Sequence, residues 1–204
     1  VMASFAFNDL NLRRAAVLVN ASSAYSETLS DFFQESFMKK GGEIIFREEY
    51  VDDEKNFTPL LKRLNAVKPD AVFVPGNIAD SGRIIKQARD LGMTEVFLGG
   101  DGWGTSMFDY AGPAIHGSLF SVHWHPANDS LKSLAFVKGF DSFPHKDPPD
   151  SGTALAFDAV FLFADAVKRA GTLDRDTIRK QVAETRAFEG VTGRISFGSD
   201  RNPI

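Results

Sequence analysis

Five residues of this 204-residue chain combine a chemically useful side chain with a place just after a short apolar run: Tyr25, Asn77, Asp101, Trp103 and Trp124. Together they offer a carboxylate, an amide and aromatic surfaces, a set suited to holding a small polar or zwitterionic molecule. Asp101 stands in GGDGWG, where glycines on both sides let the backbone come close to a ligand, and its carboxylate can take an ammonium through charge-assisted hydrogen bonds. The same aspartate also reads as a turn residue accepting from its own backbone. Trp103 reads equally as a wall of a ligand site and as a lid on a sheet. Tyr25 reads as a ligand contact or a packing residue, and Asn77 as a turn former.

Other chemistries lack their residues. The absence of cysteine removes thiol catalysis, iron–sulfur clusters and cysteine-ligated zinc. GGDGWG is not the GxGxxG of a strand-to-helix turn, and neither GxxxxGK[ST] nor GxSxG occurs, so nucleotide-phosphate binding and the nucleophile elbow of hydrolases have no support. His123 and His125 alternate at strand spacing, as a pair of metal ligands can, yet no third ligand stands at a recognised spacing. The acidic runs 52–54 and 147–150 read as solvated loops. With 23 basic and 27 acidic residues the formal charge is −4, which draws the chain toward neither phosphate backbones nor anionic membranes. No apolar run reaches the roughly 18 residues of a membrane span. The expectation is a protein with no catalytic residue, cofactor, metal, nucleic-acid partner or membrane insertion.

The elements that must position these residues follow from hydrophobic periodicity. Apolar runs at 15–19, 43–51, 71–75, 96–99 and 116–123 predict strands, and 26–40, 57–67 and 81–91 predict helices between them. Leu29, Phe32, Phe33 and Phe37 share a face of the first of these helices, and Gly41-Gly42 ends it. Asn56 and Asp80 are the predicted caps of the second and third. Alternation of this kind gives an α/β fold with a parallel sheet, and runs as apolar as AVLV and AVFV call for burial on both faces. In such a sheet ligands bind beyond the carboxyl ends of the strands, which selects 20–26, 52–56, 76–80, 100–105 and 123–128. Past 126 the rhythm changes to three successive helices, 130–143, 153–169 and 174–184, and a final strand near 194–197, with linkers at 124–129 and 145–152. Residues 1–12 read as the last turns of a helix, without the basic n-region or cleavage site of a signal peptide, and the chain stops just after a strand and turn. An incomplete chain is expected.

The ordered succession NASSAYSETLSDFFQESFMKKGGEI, FTPLLKRLNAVKPDAVFVPGNIADSGRIIKQARDLGM, FLGGDGWG, ALAFDAVFLFADAVKRAG and FEGVTGRISF resembles the type I periplasmic solute-binding proteins of ABC transporters, in their leucine/isoleucine/valine-binding branch, over nearly the whole chain. The resemblance implies two Rossmann-like three-layer α/β/α lobes that close on a ligand. Residues 1–123 would form the second, ligand-binding lobe, 124–192 the return portion of the first, and 193–204 a final strand open to rejoining the second. The amino-terminal half of the first lobe would be missing. Carried over by position, Asp101 matches the acid that takes the ligand's α-ammonium and Tyr25 an aromatic lining residue; Asn77 stands where leucine-binding members have an aromatic contact, which turns the expectation from a purely aliphatic ligand toward a polar amino acid, a small amide or an aromatic acid. With Trp103 these make the expected ligand-binding set. The implied protein is a non-catalytic periplasmic or extracytoplasmic receptor that hands an amino acid, branched-chain or related, to a membrane ABC permease; a sensory or regulatory domain of the same fold for amino acids or amides is the alternative.

Overall fold

Residues 15–19 leave no polar position for a solvated face, and the computed structural model, which describes residues 1–145 and 147–204, buries all five. Residue 146, inside the expected 145–152 linker, lies outside the described residues. The chain divides into two compact units, Val1–Ser121 and Val122–Ile204.

The first unit runs α1 (Met2–Asn8), β1 (Arg14–Asn20), α2 (Ala24–Lys39), β2 (Glu43–Tyr50), α3 (Thr58–Val67), β3 (Ala71–Phe73), α4 (Ile78–Asp90), β4 (Val96–Gly99), α5 (Phe108–Ala111) and β5 (Leu119–Phe120). All strand pairs are parallel, in the order β2-β1-β3-β4-β5. Alternate residues of each strand feed opposite cores. Ala16, Leu18, Val72, Val74 and Phe97 join Leu61, Leu64, Ile84 and Ile85 from α3 and α4. Ala15, Val17, Val19, Phe73 and Leu98 join Ala3, Ala6, Phe33 and Phe37 from α1 and α2. Phe33 stacks on Phe73 with ring centroids 4.1 Å apart, so the predicted helical stripe meets the sheet directly. Phe32, assigned to that stripe by spacing, is exposed.

Helix ends correct two of the expected caps. The N-cap of α4 is Asn77, not Asp80: the Asn77 Oδ1 accepts from the Asp80 amide at 2.9 Å, and its Nδ2 donates back to Asp80 Oδ2 at 2.8 Å. The two side chains thus brace each other across the first turn, with the acid where the helix dipole favours it. Asn56 sits one residue too early; Phe57 is the N-cap of α3, and Asn56 Oδ1 takes the Thr58 amide at 3.1 Å. The strand expected over 116–123 shrinks to Leu119–Phe120, because a turn with the Ser118 amide on the Ile115 carbonyl and Gly117 at positive φ takes up 116–118 before the run can pair with β4.

The second unit contains α6 (Leu131–Phe140), α7 (Ser151–Ala170), α8 (Arg175–Ala183) and the antiparallel pair β6 (Phe188–Glu189) and β7 (Arg194–Ile195). The final strand therefore pairs within this unit. Ser130, Asp150 and Asp174 cap the three helices, and Gly171 ends α7 in the left-handed conformation. Trp124, Phe136, Ala154 and Val191 form its core. No helix among the described residues is long and apolar enough to cross a membrane.

Asp158 ties this unit together. Its buried carboxylate accepts from the Val191 amide at 2.7 Å, the Thr192 amide at 2.8 Å and the Thr192 hydroxyl at 2.7 Å, and it lies so close over Gly190 that no β-carbon fits there. Replacing Asp158 with Ala strands those donors, so chemical denaturation followed by circular dichroism is expected to show a loss of about 2 to 4 kcal/mol, with Asp158→Asn intermediate.

Candidate functional site

The order β2-β1-β3-β4-β5 reverses direction between β1 and β3, because the chain crosses one face of the sheet to reach β2 and the other to continue through β3 and β4. The loops leaving β1 and β3 are forced apart there, and the crevice opens at the strands' carboxyl ends. A cavity of about 950 Å³ occupies this place, and Tyr25, Asn77 and Asp101 all line it.

Its rim is held by hydrogen bonds between loops. At the end of β1, Asn20 donates from Nδ2 to Asp52 Oδ1 at 2.7 Å and accepts the Ser22 amide at 2.9 Å, joining the loops after β1 and β2. Across the cavity, the Tyr25 hydroxyl donates to Asp101 Oδ1 at 2.7 Å and accepts from the Gly102 amide at 3.0 Å. Asn77 contributes its edge to the cavity while spending its amide on the α4 cap.

Trp103 lies elsewhere. It is 4% exposed, its indole covers Gly99 too closely for any side chain there, and its Nε1 donates to the Val74 carbonyl at 3.0 Å. It is absent from the cavity lining and anchors the loop after β4 to the end of β3. Trp124 belongs to the second unit, where its Nε1 donates to Ser133 Oγ at 3.0 Å in that unit's core. The second unit has its own cavity of about 810 Å³, with Phe136, Phe140, Phe157 and Phe161 in its wall, and none of the residues nominated from sequence lines it.

Several lining residues escaped the sequence reading. Asp52, read as part of a solvated run, is the partner of Asn20, and its place directly after a strand was the signal. Ser106, Asp109 and Tyr110 arrive on the segment that carries the 3-10 turn Thr105–Met107 and α5, where no periodic pattern points to a site. Among the described residues the lining holds five aspartates, Asp52, Asp53, Asp80, Asp101 and Asp109, and no lysine, arginine or histidine. Arg83 sits behind the wall and pairs with Asp80 at 3.0 Å. Among the described residues no group of three metal-ligating side chains is arranged to hold an ion. The His125 Nδ1 accepts the Ala127 amide at 3.1 Å.

Burial, and after it the hydrogen bond to Asp101, pushes the Tyr25 phenol from 10.0 up to about 12, while the Gly102 amide pulls the other way. Burial also raises Tyr50, with the Asp80 and Asp52 charges adding to it. A raised pKa means the folded state holds the proton more tightly than the unfolded one, so this contribution is complete below pH 10.0 and drains away as pH rises toward 12. Thermal unfolding is expected to show that base-induced loss. Phenolate absorbance in Asp101→Asn is expected to place Tyr25 below its wild-type value but still above 10.0, since burial, the larger cause, remains.

Comparison with known proteins agrees with this fold. The chain is 25% identical over 200 residues to the Leu/Ile/Val-binding protein homolog 3 of Brucella melitensis, covering 97% of this chain and 53% of that protein. It is 24% identical over 201 residues to the Leu/Ile/Val-binding protein BraC3 of Rhizobium johnstonii, with the same coverage. The chain thus spans about half the length of the curated relatives it matches. The crystal structure of a leucine binding protein, LivK, from Thermotoga maritima superimposes with a TM-score of 0.94 at 32% identity, covering 100% of this chain and 58% of that one. The branched-chain amino acid transporter substrate binding protein LivJ of Streptococcus pneumoniae, in complex with isoleucine, gives 0.89 at 29% identity, covering 100% and 57%. These relatives are binding proteins rather than enzymes. The family model described as periplasmic binding protein matches residues 1–204, and the chain belongs to that family, with the parallel α/β fold of its type I members.

Proposed function

We propose that this chain forms the second, ligand-binding lobe and part of the first lobe of an extracytoplasmic solute receptor, which captures an amino acid and delivers it to a membrane ABC permease. The observation that carries the reading is Asp101 at the carboxyl end of β4, on the rim of a cavity that the described residues wall with five aspartates and no basic side chain. Such a wall attracts the ammonium of an amino acid and repels a ligand whose only charge is a carboxylate. That weighs against an aromatic acid, although a benzoate-bound solute-binding protein from R. palustris shares the fold at 23% identity with a TM-score of 0.86. The names of the matched relatives favour a branched-chain amino acid. Asn77 makes the same wall polar where an aromatic contact would be apolar, although its amide is engaged in the α4 cap, and this suits a related ligand with a polar side chain.

In this reading residues 1–123 are one lobe, 124–192 the return portion of the other and 193–204 a final strand. The apolar faces left outside the second unit's core support it. Val160, Phe161 and Phe163 of α7 are each more than half exposed, as expected of a helix that packs on a sheet supplied by another part of the protein. Capture then works by closure. A ligand that touches both lobes binds the closed form better, and that difference in affinity shifts the population. Closure also excludes water, which strengthens the contact between ammonium and carboxylate.

Thermal-shift screening of the two-lobed receptor against amino acids, amides and aromatic acids is expected to give stabilisation by amino acids, of about 2.7 kcal/mol at a hundredfold excess over Kd. The 204-residue chain alone is expected to respond weakly or not at all. Asp101→Asn is expected to weaken amino acid binding more than tenfold, about 1.4 kcal/mol, by calorimetry. An unchanged Kd removes Asp101 from the site.

A further inference from the structure

Tyr25 and Asp101 are 76 positions apart in the sequence, one in the first turn of α2 and the other in the loop after β4. β3 lies between the strands that carry them. A single hydroxyl bridges that gap, donating to the carboxylate at 2.7 Å and accepting from the Gly102 amide at 3.0 Å. Both ends of the contact lie in GGDG, and the two glycines nearest to it are there for room. A β-carbon at Gly100 would stand 2.7 Å from the Tyr25 oxygen and 2.6 Å from the Leu29 side chain. One at Gly102 would stand 3.2 Å from the Gly76 carbonyl and 3.3 Å from the Tyr25 ring. The loop is therefore wrapped around the hydroxyl.

Packing alone does not account for the residue type. Tyr25 is 41% exposed, and phenylalanine would bury the same ring surface without the oxygen. A carboxylate has roughly four acceptor positions, so one phenol bond restricts its rotation without using up its capacity for an ammonium.

We infer that Tyr25 is a positioning residue: its hydroxyl, and not its ring, fixes the Asp101 carboxylate and the Gly102 amide in the orientation that receives the ligand. The second half of this statement rests on the reading of Asp101 as ammonium acceptor; the first half does not. The phenol's proton stays in place far above neutral pH, so the donor and acceptor roles in this contact do not change over the physiological range.

The two halves separate experimentally. Amide hydrogen exchange in the 204-residue chain reads the latch without any ligand: Tyr25→Phe is expected to speed exchange at Gly102 at least tenfold, while amides in the core of β1 stay unchanged. Unchanged Gly102 exchange overturns the latch. The second measurement is calorimetry on the two-lobed receptor with L-leucine as probe. Tyr25→Phe is expected to weaken binding about as much as Asp101→Asn, and the double variant no more than either alone, because both substitutions remove one coupled device. Full affinity in Tyr25→Phe with loss in Tyr25→Leu assigns the work to the ring and overturns the inference. Unchanged affinity in Asp101→Asn with accelerated exchange in Tyr25→Phe keeps the latch and overturns its link to the ligand.

Discussion

Burial of β1 on both faces is the constraint from which the rest of the first unit follows. A strand whose alternate residues enter two separate cores must have helices above and below it, so its connections cannot all lie on one side. Right-handed crossovers then send the chain to β2 by one face and onward through β3 and β4 by the other. The divergence of loops at the β1 and β3 ends is a consequence of that winding. The cavity owes its existence to a core requirement, and its chemistry to the few polar residues that the strand ends place around it.

Those residues are held by contacts that reach across the sheet. Asn20 joins the first two loops, Trp103 joins the loop after β4 to β3, and Tyr25 joins that same loop to the start of α2. The last two depend on a close approach that a larger side chain would block. Gly99 makes way for the indole and Gly100 for the phenol. The glycine-rich stretch that marked the site in the sequence is thus less a flexible loop than a tightly packed one. Its glycines remove β-carbons where two aromatic residues press against the backbone.

That distinction bears on what was legible in the sequence. The apolar runs AVLV and AVFV announced buried parallel strands, and the strand-end rule then named Tyr25, Asn77 and Asp101, which one cavity brings together. Both readings rest on local patterns with a direct physical cause. Trp103 was legible only as a choice between wall and lid, because its direction is set by Gly99 and Val74, partners that no spacing reveals. Asp109 and Tyr110 could not be found at all, since the short turns that deliver them have no period. Asn77 displaced Asp80 as the cap because both are good capping types three positions apart, and the competition is decided by where the helix starts rather than by the residues themselves.

Five carboxylates on one cavity wall would repel one another if each had to be balanced by the ligand alone, and the structure shows how four of them are held. Asp52 accepts from Asn20, Asp53 from Lys55, Asp80 from Arg83 and Asn77, and Asp101 from Tyr25. Lys55 holds the Asp53 carboxyl below its ordinary range, in keeping with that pairing. None of these partners is itself a cation in the cavity lining: two are cations outside it, and the others are neutral donors. The wall keeps its negative potential while four of its carboxylates are held in place before any ligand arrives. An incoming ammonium then meets groups that need little reorganisation, and in such a site affinity comes less from the number of charges than from their having been ordered in advance.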